Sequence, residues 1–455
     1  MNVSRALAGA RPESLWLDNP ARPAARPKLA GNLRCDLAVV GGGLSGLWTA
    51  LLAKQADPDR DVLLLEGGRI GWAASGRNGG FCASSLTHGE ANGRERFAEE
   101  YDRLDALGRE NLDAIARTVE QYEIDCDFRR SGELTVATEP YQVAALRQLN
   151  GEFLDQTATR QQVASPTFLA SLWTRDRTAL LDPARLVWGL AAAAEQLGVR
   201  IVEGTPVRRI GDEGARLDLY TDGGIVRAER VALGTSAFRP LLRRLRLSIV
   251  PVWDYVLATE PLTDHQLDAL GWRNRQGLSD TGNQFHYYRL TADNRIVWGG
   301  YDAVYYYGRS MRPGHRDRPR TYARLAEHFA LTFPQLDGIR FTHAWGGAID
   351  TCTRFCAFFG TSYRGRLAYV LGYTGLGVGA SRFGAQVMLD LLSGQSTELT
   401  ELRMVRSTPL PFPPEPFAFA GIQATRWSLA RADRNAGRRN LWLRTLDRIG
   451  LGFDS

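Results

Sequence analysis

The sequence predicts a mixed α/β protein in which a parallel-sheet unit is interleaved with an antiparallel-sheet unit. Three observations carry that reading. Short, fully apolar, branched runs, the first ending in glycines and the second in an acid, flank an apolar helical stretch, as in a parallel sheet covered on both faces. Glycine-rich loops occur near both ends of the chain, each leading into an apolar helix. Between them lie two insertions, one helical in pattern and one rich in aromatic and β-branched residues, which break the first pattern.

A chain of 455 residues with 44% hydrophobic content is long enough for two domains with substantial cores. No apolar run approaches the roughly 18 to 20 residues needed to span a bilayer, and the N-terminus lacks a secretory pattern, so a cytoplasmic location is expected. Cys35, Cys82, Cys126, Cys352 and Cys356 lack the short paired spacings of a zinc site or disulfide framework; they read as reduced, packed thiols, and no metal is expected. The formal charge of +6 is spread thinly, which argues against a nucleic-acid partner. Only the last thirty residues concentrate it. Lysine occurs only at Lys28 and Lys54, every other basic residue being arginine.

Residues 1–31 carry four prolines and little periodicity and read as an arm lying on the surface. The fold begins with the apolar strand Leu37-Ala38-Val39-Val40, which runs into Gly41-Gly42-Gly43-Leu44-Ser45-Gly46. Gly41 allows a tight turn, Gly43 lets backbone approach a pyrophosphate, and Gly46 lets the following helix, Leu47 to about Gln55, pack on the strand. A second buried strand, Val62-Leu63-Leu64-Leu65, ends in Glu66 and Gly67, where an acid meets ribose hydroxyls. This order specifies a Rossmann-like dinucleotide site but leaves NAD and FAD open. Beyond it, Ala74-Ser75-Gly76-Arg77-Asn78-Gly79-Gly80 is a polar, glycine-rich loop whose amides and one cation suit a phosphate or a flavin edge.

From Cys35 to Gly80 the sequence closely resembles the D-amino-acid oxidase superfamily of FAD-dependent oxidoreductases, especially its gamma-glutamylputrescine oxidoreductase-like branch, with relatives among glycine and sarcosine oxidases. Later segments extend the resemblance over most of residues 15–400. Val207 would brush the adenine, Gly234 would close the dinucleotide site, and Gly346 lies on the return to the flavin domain. Leu371-Gly372-Tyr373-Thr374-Gly375-Leu376-Gly377-Val378-Gly379 resembles the C-terminal flavin loop. That loop also has a reading of its own. Closely spaced glycines before a long apolar helix place backbone donors at a helix N-terminus, a second anion site far along the chain from the first, as a long flavin dinucleotide needs.

The domain plan that follows is an arm (1–31), an FAD-binding domain (32–99, 191–250 and 343–400), a substrate domain (100–190 and 251–342) and a tail (401–455). In the β-rich insertion, Trp253 to Thr259, Gln284 to Arg289 and Arg295 to Gly300 read as antiparallel strands forming a floor over the flavin. Four residues are expected at the substrate. Tyr255 belongs to an aromatic set that would desolvate an amine, Arg289 would pair with a substrate carboxylate, His286 sits in the aromatic strand, and His88 resembles family positions close to the flavin.

The resemblance implies that an amine or amino acid gives up hydride to flavin N5 and that the resulting imine hydrolyses, with no dedicated catalytic base. The lysine that sarcosine-oxidase relatives place near N5 has no counterpart after Lys54, so the electron acceptor is either oxygen or a quinone or carrier protein. A non-catalytic FAD-holding partner protein is the alternative from a different class. Cys352 and Cys356 do not match the covalent flavin attachment of some relatives. The tail carries Arg426, Arg431, Arg434, Arg438, Arg439, Arg444 and Arg448 interleaved with Trp427, Leu429, Leu441, Trp442, Leu443, Leu446 and Ile449. It reads as one or two amphipathic helices, packed on the body or in a dimer, or touching an anionic membrane or a redox partner. Oligomeric state is left open.

Overall fold

A computed structural model describes residues 1–448, 450 and 451; Ile449 of the tail lies outside them. In chain order, the elements that build the site are β1 (Leu33–Val40), α1 (Leu44–Ala56), β2 (Val62–Leu65), β3 (Glu133–Ala137), β4 (Arg200–Val202), β5 (Gly224–Leu233) and β6 (Val250–Thr259). They continue with β7 (Gly277–Asp280), β8 (His286–Leu290), β9 (Ile296–Gly300), α2 (Pro319–Thr332), β10 (Phe341–Thr351), β11 (Leu367–Leu371), α3 (Gly377–Ser393), α4 (Phe417–Arg434) and α5 (Leu441–Arg448).

Two large sheets result. In the first, β11, β5, β1, β2 and β4 lie side by side and parallel. Their apolar runs are buried on both faces: Leu37, Ala38, Val39, Val62, Leu63 and Leu64 are fully enclosed, with Trp48 and Leu51 of α1 and Val387 and Met388 of α3 packed on one side. In the second sheet the order is β10, β6, β9, β8, β7, β3, antiparallel except where β3 meets β7. One side of it packs on α2 through Leu325 and Phe329. The other side faces the glycine loops of the first sheet.

Two domain limits differ from the sequence reading. The helix Tyr101–Gln121 buries Leu104, Leu112 and Ile115 in the core of the first sheet, so it belongs with the dinucleotide domain. β10 pairs with β6 along ten residues and belongs to the second sheet, so the return crossing falls beyond Thr351 and not at 343. The arm lies mostly on the surface, as read, but is anchored at a few points. Trp16 and Leu17 are buried, and Arg11 bridges to His343 on β10, because the arm supplies apolar and hydrogen-bonding groups to the seam between the sheets.

Candidate active site

A cavity of about 1440 Å³ runs from the C-terminal edge of the parallel sheet to the facing side of the second sheet. That exceeds the roughly 300–1,000 Å³ of an ordinary small-molecule pocket and suits a long ligand with a substrate at its end.

Two helices aim their N-termini at this cavity. α1 starts after Gly43 and α3 after Leu376, neither capped by its own N-cap side chain, although Ser75 accepts from the Leu44 amide at 3.0 Å; both helices present a positive dipole end where anionic groups would lie. Ser45 donates to the Tyr373 hydroxyl at 3.0 Å and ties the two glycine loops together. Tight backbone contact explains two glycines. A Cβ on Gly41, whose φ is +109°, would lie 2.5 Å from the Gly234 carbonyl oxygen, and one on Gly46 would lie 1.9 Å from the Gly41 oxygen. Gly46, and Gly80, where a Cβ would lie 2.2 Å from the Leu181 carbonyl oxygen, serve packing and stand back from the cavity wall.

Along that wall lie Gly41, Gly43, Leu44, Ser45, Glu66, Gly67, Ser75, Arg77, Asn78, Gly79, Val207, Gly234, Gly346 and the loop Thr374-Gly375-Leu376-Gly377. Glu66, at the end of β2, accepts from the Gly42 and Gly68 amides at 2.6 Å each and from the Trp72 indole at 2.8 Å. A carboxylate offers about four acceptor sites, so capacity remains for a ribose hydroxyl. Burial pushes its pKa up against those three donors.

The loop 74–80 is fastened from several directions. Asn78 donates to the Ala74 and Ser75 carbonyls and accepts from the Gly80 amide. Trp16 of the arm donates to the Asn78 carbonyl at 2.8 Å, Trp345 of β10 to the Arg77 carbonyl at 2.9 Å, and Ser14 to the Gly76 carbonyl at 2.8 Å. The Arg77 guanidinium pairs with Glu13 at 2.9 Å. Across the cavity, buried Asp350 accepts from the Gly372 amide at 2.7 Å and holds the second glycine loop; burial pushes its pKa to about 7.

Of the four expected substrate residues, the structure brings only His88 to the cavity, next to Gly89 and Thr374. Burial lowers its pKa, so the imidazole is neutral at pH 7. Tyr255 points to the opposite side of the sheet, where its hydroxyl meets Tyr306 at 3.0 Å and the His315 carbonyl at 2.8 Å. His286 is on that side too, between Asp280 at 2.7 Å and His328 at 2.9 Å. The cause is strand parity: neighbouring residues face opposite sides, so Asp254 and Tyr287 occupy the cavity side in their place. Arg289 shares the side of Tyr287 but is fully buried, donating to the Leu181 carbonyl at 2.6 Å and the Gly80 carbonyl at 3.3 Å. It cannot reach a substrate carboxylate because it clamps the flavin loop.

Asp254 is a site residue that the sequence reading missed. It is cross-strand from Gly347, whose Cβ would lie 3.3 Å from that of Arg77, and it accepts a short hydrogen bond from the Tyr287 hydroxyl. The Tyr287 ring in turn fills the space beside Gly79. Burial raises the Asp254 pKa from 3.8 to about 6. An acid inside the apolar run Trp253 to Ala258 was the available signal, since a carboxylate is not buried without a use or a partner.

The family described as FAD dependent oxidoreductase matches residues 36–391. The chain belongs to that family. Among its relatives, this flavoprotein is 30% identical to gamma-glutamylputrescine oxidoreductase of Escherichia coli over 84% of its own length and 88% of the relative's. It is 26% identical to the probable oxidoreductase OrdL of Haemophilus influenzae over 85% and 89% of the two chains. Glycine oxidase from Geobacillus kaustophilus has the same fold, with a TM-score of 0.67 at 20% identity, covering 82% of this chain and 99% of the other. The two helix N-termini, the acid at the end of β2 and the glycine cradles fit FAD. Among the described residues, no side-chain group suits a metal and no helix is long and apolar enough to cross a membrane. Neither Cys352 nor Cys356 lines the cavity; the Cys352 thiol faces the Cys356 carbonyl at 3.1 Å.

The tail is packed on the body as amphipathic helices, one of the readings its sequence offered, and it closes the substrate end of the cavity. Phe417, Ile422, Thr425 and Leu429 of α4, with Trp442 and Leu446 of α5, form its roof. Arg426 pairs with Asp302, and Asp433 accepts from Asn283 and Gln284, so the roof is fastened to the second sheet by charge-assisted bonds.

Proposed function

We propose that this flavoenzyme oxidises the carbon–nitrogen bond of an amine whose nitrogen is held at Asp254. FAD, when bound, supplies the hydride acceptor. The observation that carries the reading is the Asp254–Tyr287 couple, which presents a carboxylate to the cavity between Gly347 and Gly79, beside the fastened flavin loop. Ionised Asp254 would bind the substrate ammonium and accept its proton, leaving the neutral amine from which hydride departs. Phe285, Tyr301 and Tyr305 on the same wall would desolvate the carbon chain and attract the cation. With Arg289 withdrawn from the cavity, amines without an α-carboxylate are favoured over amino acids. The named activity of the Escherichia coli relative puts an acylated diamine at the head of the candidates.

Anaerobic mixing of the yellow protein with polyamines, their γ-glutamyl derivatives, N-methyl amino acids and D-amino acids tests this. Bleaching is expected with the amines first, and re-oxidation by air or by a quinone then identifies the acceptor. Failure of every amine to bleach the flavin would support the reading of an FAD-holding partner protein.

A further inference from the structure

The roof has an outer side that the catalytic reading does not use. α4 and α5 bury Ala418, Ser428, Ala432 and Leu443 inward, while their outward side carries Trp427 and Leu441, exposed by 62% and 81%, and the roof residues Phe417 and Trp442 are themselves open to solvent at its rim. Leu410 lies exposed just before this pair, and exposed Tyr307 packs edge-on against Phe419. So much exposed aromatic and aliphatic surface in one corner marks a contact region.

The charge on the same side has one sign. Both acids of the helix pair are engaged, Asp433 by Asn283 and Gln284 and Asp447 by Arg439 at 2.6 Å. Arg426 is spent on Asp302. Arg431, Arg434, Arg438, Arg444 and Arg448 are all exposed, and none enters an ion pair among the described residues. Arg431 lies over the Trp427 ring at 5.5 Å, which keeps a cation and an indole together at the outermost part of α4. Indole and leucine side chains set among unpaired arginines match the interfacial zone of a bilayer, where apolar groups enter the acyl boundary and guanidinium groups meet lipid phosphates. A soluble acidic partner would answer the arginines but would leave no reason for Leu441 to be so exposed.

We infer that the outer face of the α4–α5 pair docks on an anionic membrane surface, which brings the roofed end of the substrate cavity to the bilayer. The inference is independent of the substrate, and its test does not read activity. Full-length protein loaded with FAD is floated with phosphatidylglycerol/phosphatidylcholine vesicles and with phosphatidylcholine vesicles alone. Binding is expected on the anionic vesicles and should weaken steeply with salt. A triple variant R431Q/R438Q/R444Q should lose about hundredfold in partition, because each basic residue near such a surface contributes roughly fivefold. W427S/L441S should bind more weakly at high salt, where the apolar term remains. These side chains face outward and lie off the cavity wall, so retained flavin absorbance and an unchanged melting temperature would show the roof intact. No flotation on anionic vesicles, flotation indifferent to both variants, or sedimentation velocity showing that this face joins two copies of the chain would each overturn the inference.

Discussion

Tyr287 reaches Asp254 over Gly299, on the strand between them: a side chain at Gly299 would lie 2.5 Å from the Tyr287 ring, so the missing Cβ is what lets phenol and carboxylate meet. Asp254→Asn should slow anaerobic flavin reduction by roughly 100-fold or more at pH 7. The gap should narrow at high pH, as free amine becomes available without a base. In the parent enzyme the rate should rise with pH through about 6, where Asp254 ionises. Tyr287→Phe removes a donor that holds this pKa down, so the rising limb should move to higher pH. If Asp254→Asn kept the parent rate and profile, Asp254 would be removed from the chemistry.

The same carboxylate should cost stability. Its folded pKa is raised, so the folded state binds the proton more tightly than the unfolded chain, and stability falls as pH climbs from about 4 to about 6. Asp254→Asn should therefore melt higher than the parent above pH 6 and equally below pH 4, measured by scanning calorimetry with FAD in excess. A variant less stable at pH 8 would mean that the buried acid is structural.

Arg289→Met would leave the buried Leu181 carbonyl without its side-chain donor, the Gly80 carbonyl with the Leu181 amide alone, and Asp127 with Arg129 as its remaining cation. About 2 kcal/mol of stability should be lost, together with retention of flavin on gel filtration. The ratio of kcat/KM between carboxylated and uncarboxylated amines should not change. A selective loss for carboxylated substrates would return Arg289 to the substrate.

Trp16→Ala removes one of the two indoles that fasten the loop 74–80. Flavin affinity should fall at least tenfold, by fluorescence titration, while the pH profile of flavin reduction stays as in the parent. Unchanged affinity would make the arm a passive strap.

Acid precipitation should release all the yellow colour into the supernatant, since the Cys352 and Cys356 side chains are enclosed away from the cavity. Colour retained in the pellet would show a covalent bond.

The cofactor end was legible because its chemistry is local. Gly41 to Glu66 is one continuous βαβ stretch, and each glycine meets a requirement set by residues within a few positions or by one neighbouring strand. At the substrate end, function depends on which side of a strand a residue faces. This sheet is covered on both sides, so aromatic residues stand on both faces of β6 and β8, and the readings at Tyr255 and His286 followed the aromatics and passed over the acid and the tyrosine beside them. Arg289 failed for another reason: its partners are main-chain carbonyls of Gly80 and Leu181, which no side-chain pattern reveals. Nor did the tail's amphipathic pattern say that its inner side would meet a cavity instead of solid core.

The roof is made after the site that it covers. Every residue assigned to the FAD site lies before Gly379, and α4 begins only at Phe417. As the protein leaves the ribosome, the dinucleotide site is complete while the segment that will shut it is still unsynthesised or in the exit tunnel. The order of synthesis therefore supplies an open interval for loading the cofactor before the roof closes the cavity.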